Sequence, residues 1–563
     1  MSAHISAPPS SVSLPAAIAQ LPSDWVWQIV WFKRDLRVVD HAPLYHASRA
    51  GPVLALYVFE PSLQTAPDYA DQHGQFAYEC LQDLQPALHA LNIPLWVVRA
   101  EVLPVLQTLY THWPQLALHS HEETGNGLTF ERDRAVARWC RDVGVTWHEY
   151  PQHGVVRRLA AQGGRAQWTA HWQARMTAAS WPTPQIQQGR AVAKQLLLPS
   201  RSALGLDPKE GNPLRQRGGR EQGWARFNAF LADHVREYRY GLSSPRTAPR
   251  ACSRLSPYLA YGALSMREVL QAGWECQAQL RSMPNSPDSK ARLAGLRAFE
   301  SRLHWHCHFM QKLESEPAIE HRNMHPDWVG VREDHLRPDW QAAWAEGATG
   351  YPLIDACMQM LRQTGWLNFR MRAMLISFCS YQLWQPWQAP AWHLARCFLD
   401  YEPGIHYPQI QMQSGVTGIN AVRMYNPIKQ AQDHDPDGYF VKRWLPVLRR
   451  VPAPYMFQPW LMPSALQDKL GVRIGRDYPA PLVDLTQATR LARARYSAWR
   501  EQVQRSHSLA VLEKHGSRAG RWTPQQRRPD HPLDDAPRRR ASRASSASLS
   551  SEQLSFDWQE PIP

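Results

Sequence analysis

Between residues 366 and 427 the chain gathers side chains able to hold and tune a charged group: Arg370, Arg372, Asp400, Glu402, His406 and Arg423, within a tryptophan-rich stretch. A carboxylate paired with a guanidinium in an apolar setting makes a fixed dipole, and histidine exchanges a proton near neutrality. Taken alone, an Asp and an Arg at helical positions most often form an ordinary ion pair. A second set, Cys252, Ser253, Arg254, Leu255 and Ser256 ahead of Pro257, joins hydroxyls, free backbone N–H groups and a guanidinium at a helix start. That combination suits an anion such as a diphosphate.

Positioning these groups takes two differently built halves. From residue 25 to 155, strands are predicted at Gln28–Phe32, Val53–Phe59, Leu95–Val98, Leu116–His119 and Val145–Tyr150, with helices over 41–49, 75–91, 103–112 and 130–142. This alternation describes an α/β domain with a doubly wound parallel sheet. No G-x-G-x-x-G follows the first strand, which argues against a nicotinamide dehydrogenase. Residues 156–225, rich in Gln, Arg, Gly and Pro, read as a connector lying over both halves. Residues 226–505 read as all-α: Tyr351-Pro352 opens one helix and Gly365 closes it. Leu296, Phe299, Leu303, Met310 and Leu313 form the buried stripe of an earlier helix. The arm 1–24 and the basic tail 506–563 are expected to be disordered.

At 563 residues, 44% hydrophobic and 20% charged, the chain has room for at least two cores. Its eight cysteines are scattered without a C-x-x-C pair, so no disulfide framework, zinc ribbon or iron–sulfur cage is expected. Reduced thiols, no secretory leader pattern and no apolar run of ~18 residues predict a cytoplasmic protein without a membrane span. A net charge of +14 points to nucleic acid as partner, since each cation that neutralises a phosphate releases counterions. A basic surface that only aids solubility would give the same charge. Most of the twenty-five tryptophans must be core, yet a few can stack on bases or carry electrons.

Three segments in fixed order carry a family resemblance. Trp31-Phe32-Lys33-Arg34-Asp35-Leu36-Arg37-Val38-Val39-Asp40 follows the first strand, and Ser253-Arg254-Leu255-Ser256-Pro257-Tyr258-Leu259 comes later. Trp344–Pro352 then leads through Asp355 and Thr364-Gly365-Trp366 to Asp400-Tyr401-Glu402-Pro403-Gly404-Ile405-His406. Over residues 27–450 the chain resembles the cryptochrome and DNA photolyase family. The resemblance implies a non-covalent, U-shaped FAD in the helical half. Its implied contacts are Tyr240, Cys252, Ser253, Arg254, Leu255, Ser256, Phe299, Arg302, His306, Phe309, Trp366, Phe369, Arg372, Asp400, Tyr401, Glu402 and His406. Arg372 is expected to pair with Asp400 beside the flavin ring, with Asp400 and Glu402 facing ring and sugar. Such a dipole tunes a flavin without reorganising during electron transfer.

The resemblance further implies light-driven reversal of cyclobutane pyrimidine dimers in damaged DNA, with Arg302, Trp305 and Met412 lining the lesion pocket and Arg302, Trp305, Arg372, Asp400 and His406 as catalytic candidates. A cryptochrome-like blue-light photoreceptor is the alternative. Several positions depart from the family pattern. Cys252 replaces a threonine, Met412 a wall tryptophan, and Arg302 the glutamate of dimer-splitting enzymes; Asn368 and Phe369 stand where the (6-4) branch has a histidine pair, which disfavours that lesion. A guanidinium at 302 can still donate to thymine O4. His406 falls at the place facing flavin N5, either as a proton donor or as a neutral hydrogen-bonding spacer. Of the usual electron relay only Trp387 remains, beside Ile410 and Asp334; Trp384, Tyr381, Trp392 and Tyr407 could form a substitute.

Three further features complete the reading. His304, His306, His308 and Cys307 hint at a metal, but the set holds no carboxylate and coincides with the family's flavin helix, so none is expected. His121-Glu122-Glu123-Thr124-Gly125-Asn126, at a strand's C-terminal end, is a candidate contact for a second, antenna chromophore of folate or deazaflavin type. Gln553–Trp558 vaguely resembles peptides that dock on a bacterial replication clamp, so the tail is a candidate contact for DNA or a clamp.

Overall fold

The computed structural model describes residues 12–185, 196–207 and 212–516. Its N-terminal half is built on β1 (Trp27–Phe32), β2 (Val53–Phe59), β3 (Leu95–Arg99), β4 (Leu116–His121) and β5 (Thr146–Tyr150). All pairings are parallel, in the order β3-β2-β1-β4-β5, so β1 is central, with Ile29 opposite Leu54 and Leu118. Successive residues of a strand face opposite sides. Ile29 and Trp31 accordingly enter a core with Leu54, Leu56 and Trp113, whereas Val30 and Phe32 enter another with Ala55, Phe76 and Leu81. That second core runs on without a break into Phe227, Tyr258, Phe299 and Leu303 of the helical half.

Helices α1 (Ala42–Ala50), α2 (Asp71–Ala90), α3 (Val102–His112) and α4 (Gly127–Val143) cover the sheet. The two expected to begin at 75 and 130 start earlier. His73 Nδ1 accepts the Ala70 N–H, and the Asn126 side chain accepts the Thr129 N–H, so polar caps rather than the apolar stripe set these starts.

Both supposedly disordered flanks carry packed pieces. Ile18 and Leu21 are buried against Trp27 and Trp113, so residues 12–24 cover the outer face of the sheet. Residues 505–515 form a helix whose Val511 is buried and whose His515 lies 2.7 Å from Glu316. The connector likewise contains α5 (Gly164–Thr177), with Trp168, Trp172 and Met176 buried at i, i+4 and i+8. Three apolar positions among Arg and Gln gave too thin a stripe to be read as a helix.

The helical half centres on α6 (Pro287–Ser315), α7 (Pro352–Thr364), α8 (Phe369–Ser377), α9 (Gln388–Cys397) and α10 (Pro403–Ser414). Gly365 ends α7 at φ 67°, as the sequence predicts. α6 and α10 cross where a Cβ on Gly404 would come 2.7 Å from the Met310 backbone. No described helix is long and apolar enough to cross a membrane.

Candidate functional site: a basic pocket and its interdomain rim

Arg372, on α8, donates from Nη2 to Asp400 Oδ2 at 2.8 Å and from Nε to the Leu367 carbonyl at 2.6 Å. Its guanidinium lies 4.0 Å above the Phe398 ring. Burial pushes the Asp400 carboxyl up, but the Arg372 charge and hydrogen bond outweigh it and hold the carboxyl below its ordinary value. Asp400 Oδ1 is buried without a hydrogen-bond partner, and so is Asn368 Oδ1.

Around this pair the charge is overwhelmingly positive. Arg254 adopts φ 58°, stacks 4.1 Å over Trp366 and is fixed by Gln216 Oε1 at 2.9 Å. Burial lowers the Arg254 guanidinium to about 10. Arg254, Arg302 and Arg372 all act on the Cys252 thiol, which burial nonetheless pushes up to about 12. The Ser256–Ala260 helix is a single turn, so its dipole is small and the guanidinium groups carry the anion-binding potential. Clustered arginines with one carboxylate, an aromatic wall at Trp366, and two buried acceptors lacking donors fit FAD, whose diphosphate needs cations and whose ring and ribose bring N–H and O–H groups.

On α6, Phe299 packs into the aromatic core with Phe230 at 5.0 Å. Arg302 is exposed and bonds the hydroxyl of buried Tyr238. Trp305 stacks on Phe309 at 5.6 Å, while His304 and His308 turn edge-on to Trp168 of α5. Met412 is half-buried on α10. His304 and His308 thus share Trp168, whereas His306 turns to His153 at 6.4 Å. Among the described residues, the acid–histidine group compact enough for a metal is Asp35, His41 and His121. There Asp35 Oδ2 bonds His41 Nε2 at 3.0 Å and His121 Nδ1 at 2.6 Å, which are hydrogen-bond lengths.

Four expectations need correction, and a fifth, left open for His406, is decided. Tyr240 is 80% exposed and stands away from the pocket, because the last turn of its helix turns Tyr238 inward instead. Glu402 does not face the pocket of Asp400: its Oε2 accepts from Arg34 of the first motif at 3.2 Å, and its Oε1 is buried without a partner. It lines a cavity of about 20 Å³ with His153, His306 and Met310. Burial, reinforced by Glu123 and opposed by Arg34, pushes its carboxyl up to about 7. His406 Nε2 donates to the Ala391 carbonyl, 2.9 Å away, and burial lowers the ring to about 4, so it stands as the neutral hydrogen-bonding spacer rather than the proton donor. Trp384, held at φ 53°, has Arg332 at 4.7 Å and Arg495 at 5.4 Å from its ring. Two cations disfavour a further positive charge on that ring, which weighs against Trp384 as a relay member. Phe369 is 45% exposed at the start of α8, on the rim of the pocket rather than within it.

Trp387 remains buried, donating to Asn323 Oδ1 at 2.7 Å and meeting Tyr407 edge-on at 6.4 Å. A larger cavity, about 160 Å³, opens beyond the ends of β1 and β2, lined by Tyr57, Asp68, Glu123, Asn126 and Tyr401. It brings the segment 121–126 predicted for a second ligand to a real opening. Asp68 carried no sequence signal, since its contact with Tyr401 spans 333 positions. The clamp-like Gln553–Trp558 lies outside the described residues.

Residues 28–181 match the family described as DNA photolyase, and residues 299–498 match the FAD binding domain of DNA photolyase. Cryptochrome DASH of Gloeobacter violaceus is 30% identical over 497 residues, covering 84% of this chain and 95% of that protein. Deoxyribodipyrimidine photo-lyase of Vibrio cholerae is 27% identical over 476 residues, covering 81% and 96%. The solved cryptochrome of Synechocystis sp. shares the fold at a TM-score of 0.71 with 21% identity, covering 83% of this chain and 98% of that one. The chain belongs to the cryptochrome and DNA photolyase family, and FAD is its cofactor.

Proposed function

We propose that the protein is a photolyase-type enzyme that uses light and reduced FAD to reverse cyclobutane pyrimidine dimers in DNA. One observation carries the reading: Arg302 is exposed to incoming substrate yet close enough to the cofactor pocket to act on Cys252 beside Arg254 and Arg372. When bound and reduced, FAD supplies a light-activated electron to the lesion and recovers it after the bonds between the bases open. Arg302 donates hydrogen bonds to the lesion carbonyls and favours their negative charge, while Trp305 and Met412 flank the flipped-out bases. Arg372 and Asp400 hold a fixed dipole at the cofactor ring, and Arg254 with Trp366 anchors the remainder. The +14 charge supports attraction to the DNA backbone. The cavity beside Asn126 is the proposed seat of an antenna chromophore of folate or deazaflavin type.

The photoreceptor alternative draws on Arg302 in place of a glutamate. It loses the support of a titrating His406, whose ring is neutral. The deciding experiment illuminates the reduced holoprotein with dimer-containing oligonucleotide. Light-dependent loss of dimers is expected; no loss, with light-driven reduction of the flavin intact, would overturn repair in favour of the photoreceptor.

A further inference from the structure

Tyr401 lies between Asp400 and Glu402 in the chain but points elsewhere, its hydroxyl donating to Asp68 Oδ2 at 2.6 Å. This bond joins the helical half to the loop before α2, and both residues are buried at the wall of the larger cavity. Asn126 Nδ2 donates to the same carboxylate oxygen at 3.0 Å and fixes its orientation. The Tyr407 oxygen lies 3.3 Å from that of Tyr401. Since the single phenolic proton of Tyr401 goes to Asp68, Tyr407 is the donor in that contact. Tyr407 in turn bonds Trp392, whose ring is 36% exposed. The hydrogen bonds thus run in one direction, from a surface indole through two phenols to a carboxylate.

The rings are equally continuous. His406 meets Phe398 at 6.0 Å, Tyr401 at 5.2 Å and Tyr407 at 5.3 Å, and Phe398 is the ring beneath Arg372. Trp387 joins at Tyr407. In contrast to the cation-flanked Trp384, this route has a carboxylate at its inner end. A phenol is hard to oxidise while it keeps its proton, so a tyrosine serves as an electron donor where a base takes the proton in the same step. Among the described residues, Asp68 is the base that accepts the Tyr401 hydroxyl, at 2.6 Å. His73 stacks on Tyr401 at 6.0 Å, but its Nε2 is engaged by the Phe398 carbonyl and its Nδ1 by the Ala70 N–H.

We infer that Tyr401 and Asp68 form a proton-coupled redox pair that feeds electrons to the flavin, replenished through Tyr407 and Trp392. The inference rests on the light-driven flavin chemistry proposed above, not on DNA repair. In the step, the Tyr401 O–H bond breaks, its proton forms an O–H bond on Asp68 Oδ2, and its electron passes to light-excited, oxidised FAD. The resulting neutral tyrosyl radical takes an electron from Tyr407, whose proton moves to the Tyr401 oxygen. An external thiol, meeting the route at exposed Trp392, then supplies an electron and its S–H proton to the Tyr407 oxygen and leaves as a thiyl radical, so the proton left on Asp68 balances the electron left on FAD.

The test illuminates the oxidised holoprotein without DNA and records the protein radical by electron paramagnetic resonance, using protein grown with ring-deuterated tyrosine or tryptophan. Expected are a signal narrowed by deuterated tyrosine, slower radical formation in D2O, and loss of the tyrosyl signal in Tyr401→Phe and Asp68→Asn. Tyr407→Phe should retain the first radical but slow its decay by thiol. A wild-type radical on tryptophan alone, or no D2O effect, would overturn the inference even if the variants failed to fold. So would an undiminished signal in folded Tyr401→Phe. Because no lesion is present, failure of DNA repair leaves this outcome unaffected.

Discussion

Arg34 and Glu402, 368 positions apart, face one another at 3.2 Å across the junction of the two halves. The same guanidinium also donates to the Tyr401 carbonyl at 3.1 Å. The motif after β1 therefore clamps the loop that carries the family's flavin-facing residues, which explains why so many charges are spent on one turn.

The junction should be pH-sensitive. Glu402 titrates at about 7 when folded, against 4.5 for an unburied glutamate, so the folded state holds this proton more tightly than the unfolded chain. Burying the ionised form costs up to about 3 kcal/mol above neutrality, and that cost fades as pH falls toward the unfolded value. Denaturant unfolding across this window should therefore show Glu402→Gln gaining on wild type as pH rises. Parallel curves would refute the assignment.

Removing Arg372 strands a buried carboxylate. Arg372→Ala should lose about 3 kcal/mol of stability, the usual penalty for an uncompensated buried charge, and release FAD more readily. Chemical denaturation and flavin retention on gel filtration check both parts.

His406 should be silent near neutrality. With burial holding the ring at about 4, the pH profile of light-driven flavin reduction should superpose for wild type and His406→Asn from pH ~6 to 8. A step near 6.5 present only in wild type would show that the histidine titrates.

Two tryptophans should behave oppositely. Trp387→Phe should shorten the life of the light-reduced flavin, because it removes an uncharged ring at the Tyr407 end of the route, over which the radical is drawn away from the cofactor. Trp384→Phe should leave it unchanged, since Arg332 and Arg495 already disfavour a positive charge there. Transient absorption of the two variants separates them.

Gly262 permits the contact between the halves. It sits at φ 62°, a Cβ there would collide with the Arg34 and Asp35 backbone, and its carbonyl accepts from Arg37 Nη1 at 3.0 Å. Gly262→Ala should cost about 1–3 kcal/mol in thermal or denaturant unfolding.

β1, β2 and β3 were readable because buried parallel strands are apolar runs, whereas β4 ends in His119-Ser120-His121 and β5 is largely exposed with His148 and Glu149; all five nonetheless appear within two residues of their predicted bounds. The Arg372–Asp400 pair was readable because the family motif fixes both residues. Orientation was not. Glu402 and Tyr401 carry the same spacing signal as Asp400, yet Arg34 and Asp68, from distant segments, draw them to the interdomain side. The helix at 164–177 escaped notice because its stripe is two tryptophans and a methionine among polar residues. For His406 burial selects the neutral spacer over the proton donor, a choice the sequence left open because spacing says nothing of solvation.

The unbroken apolar core linking Val30, Phe32 and Phe76 to Phe227, Phe299 and Leu303 has a practical corollary. Severing the polypeptide between its halves would leave each fragment with an uncovered oily face, so neither should be obtainable alone without aggregating. Illumination must likewise act through local rearrangement of side chains, because prying the halves apart would expose that whole surface to water.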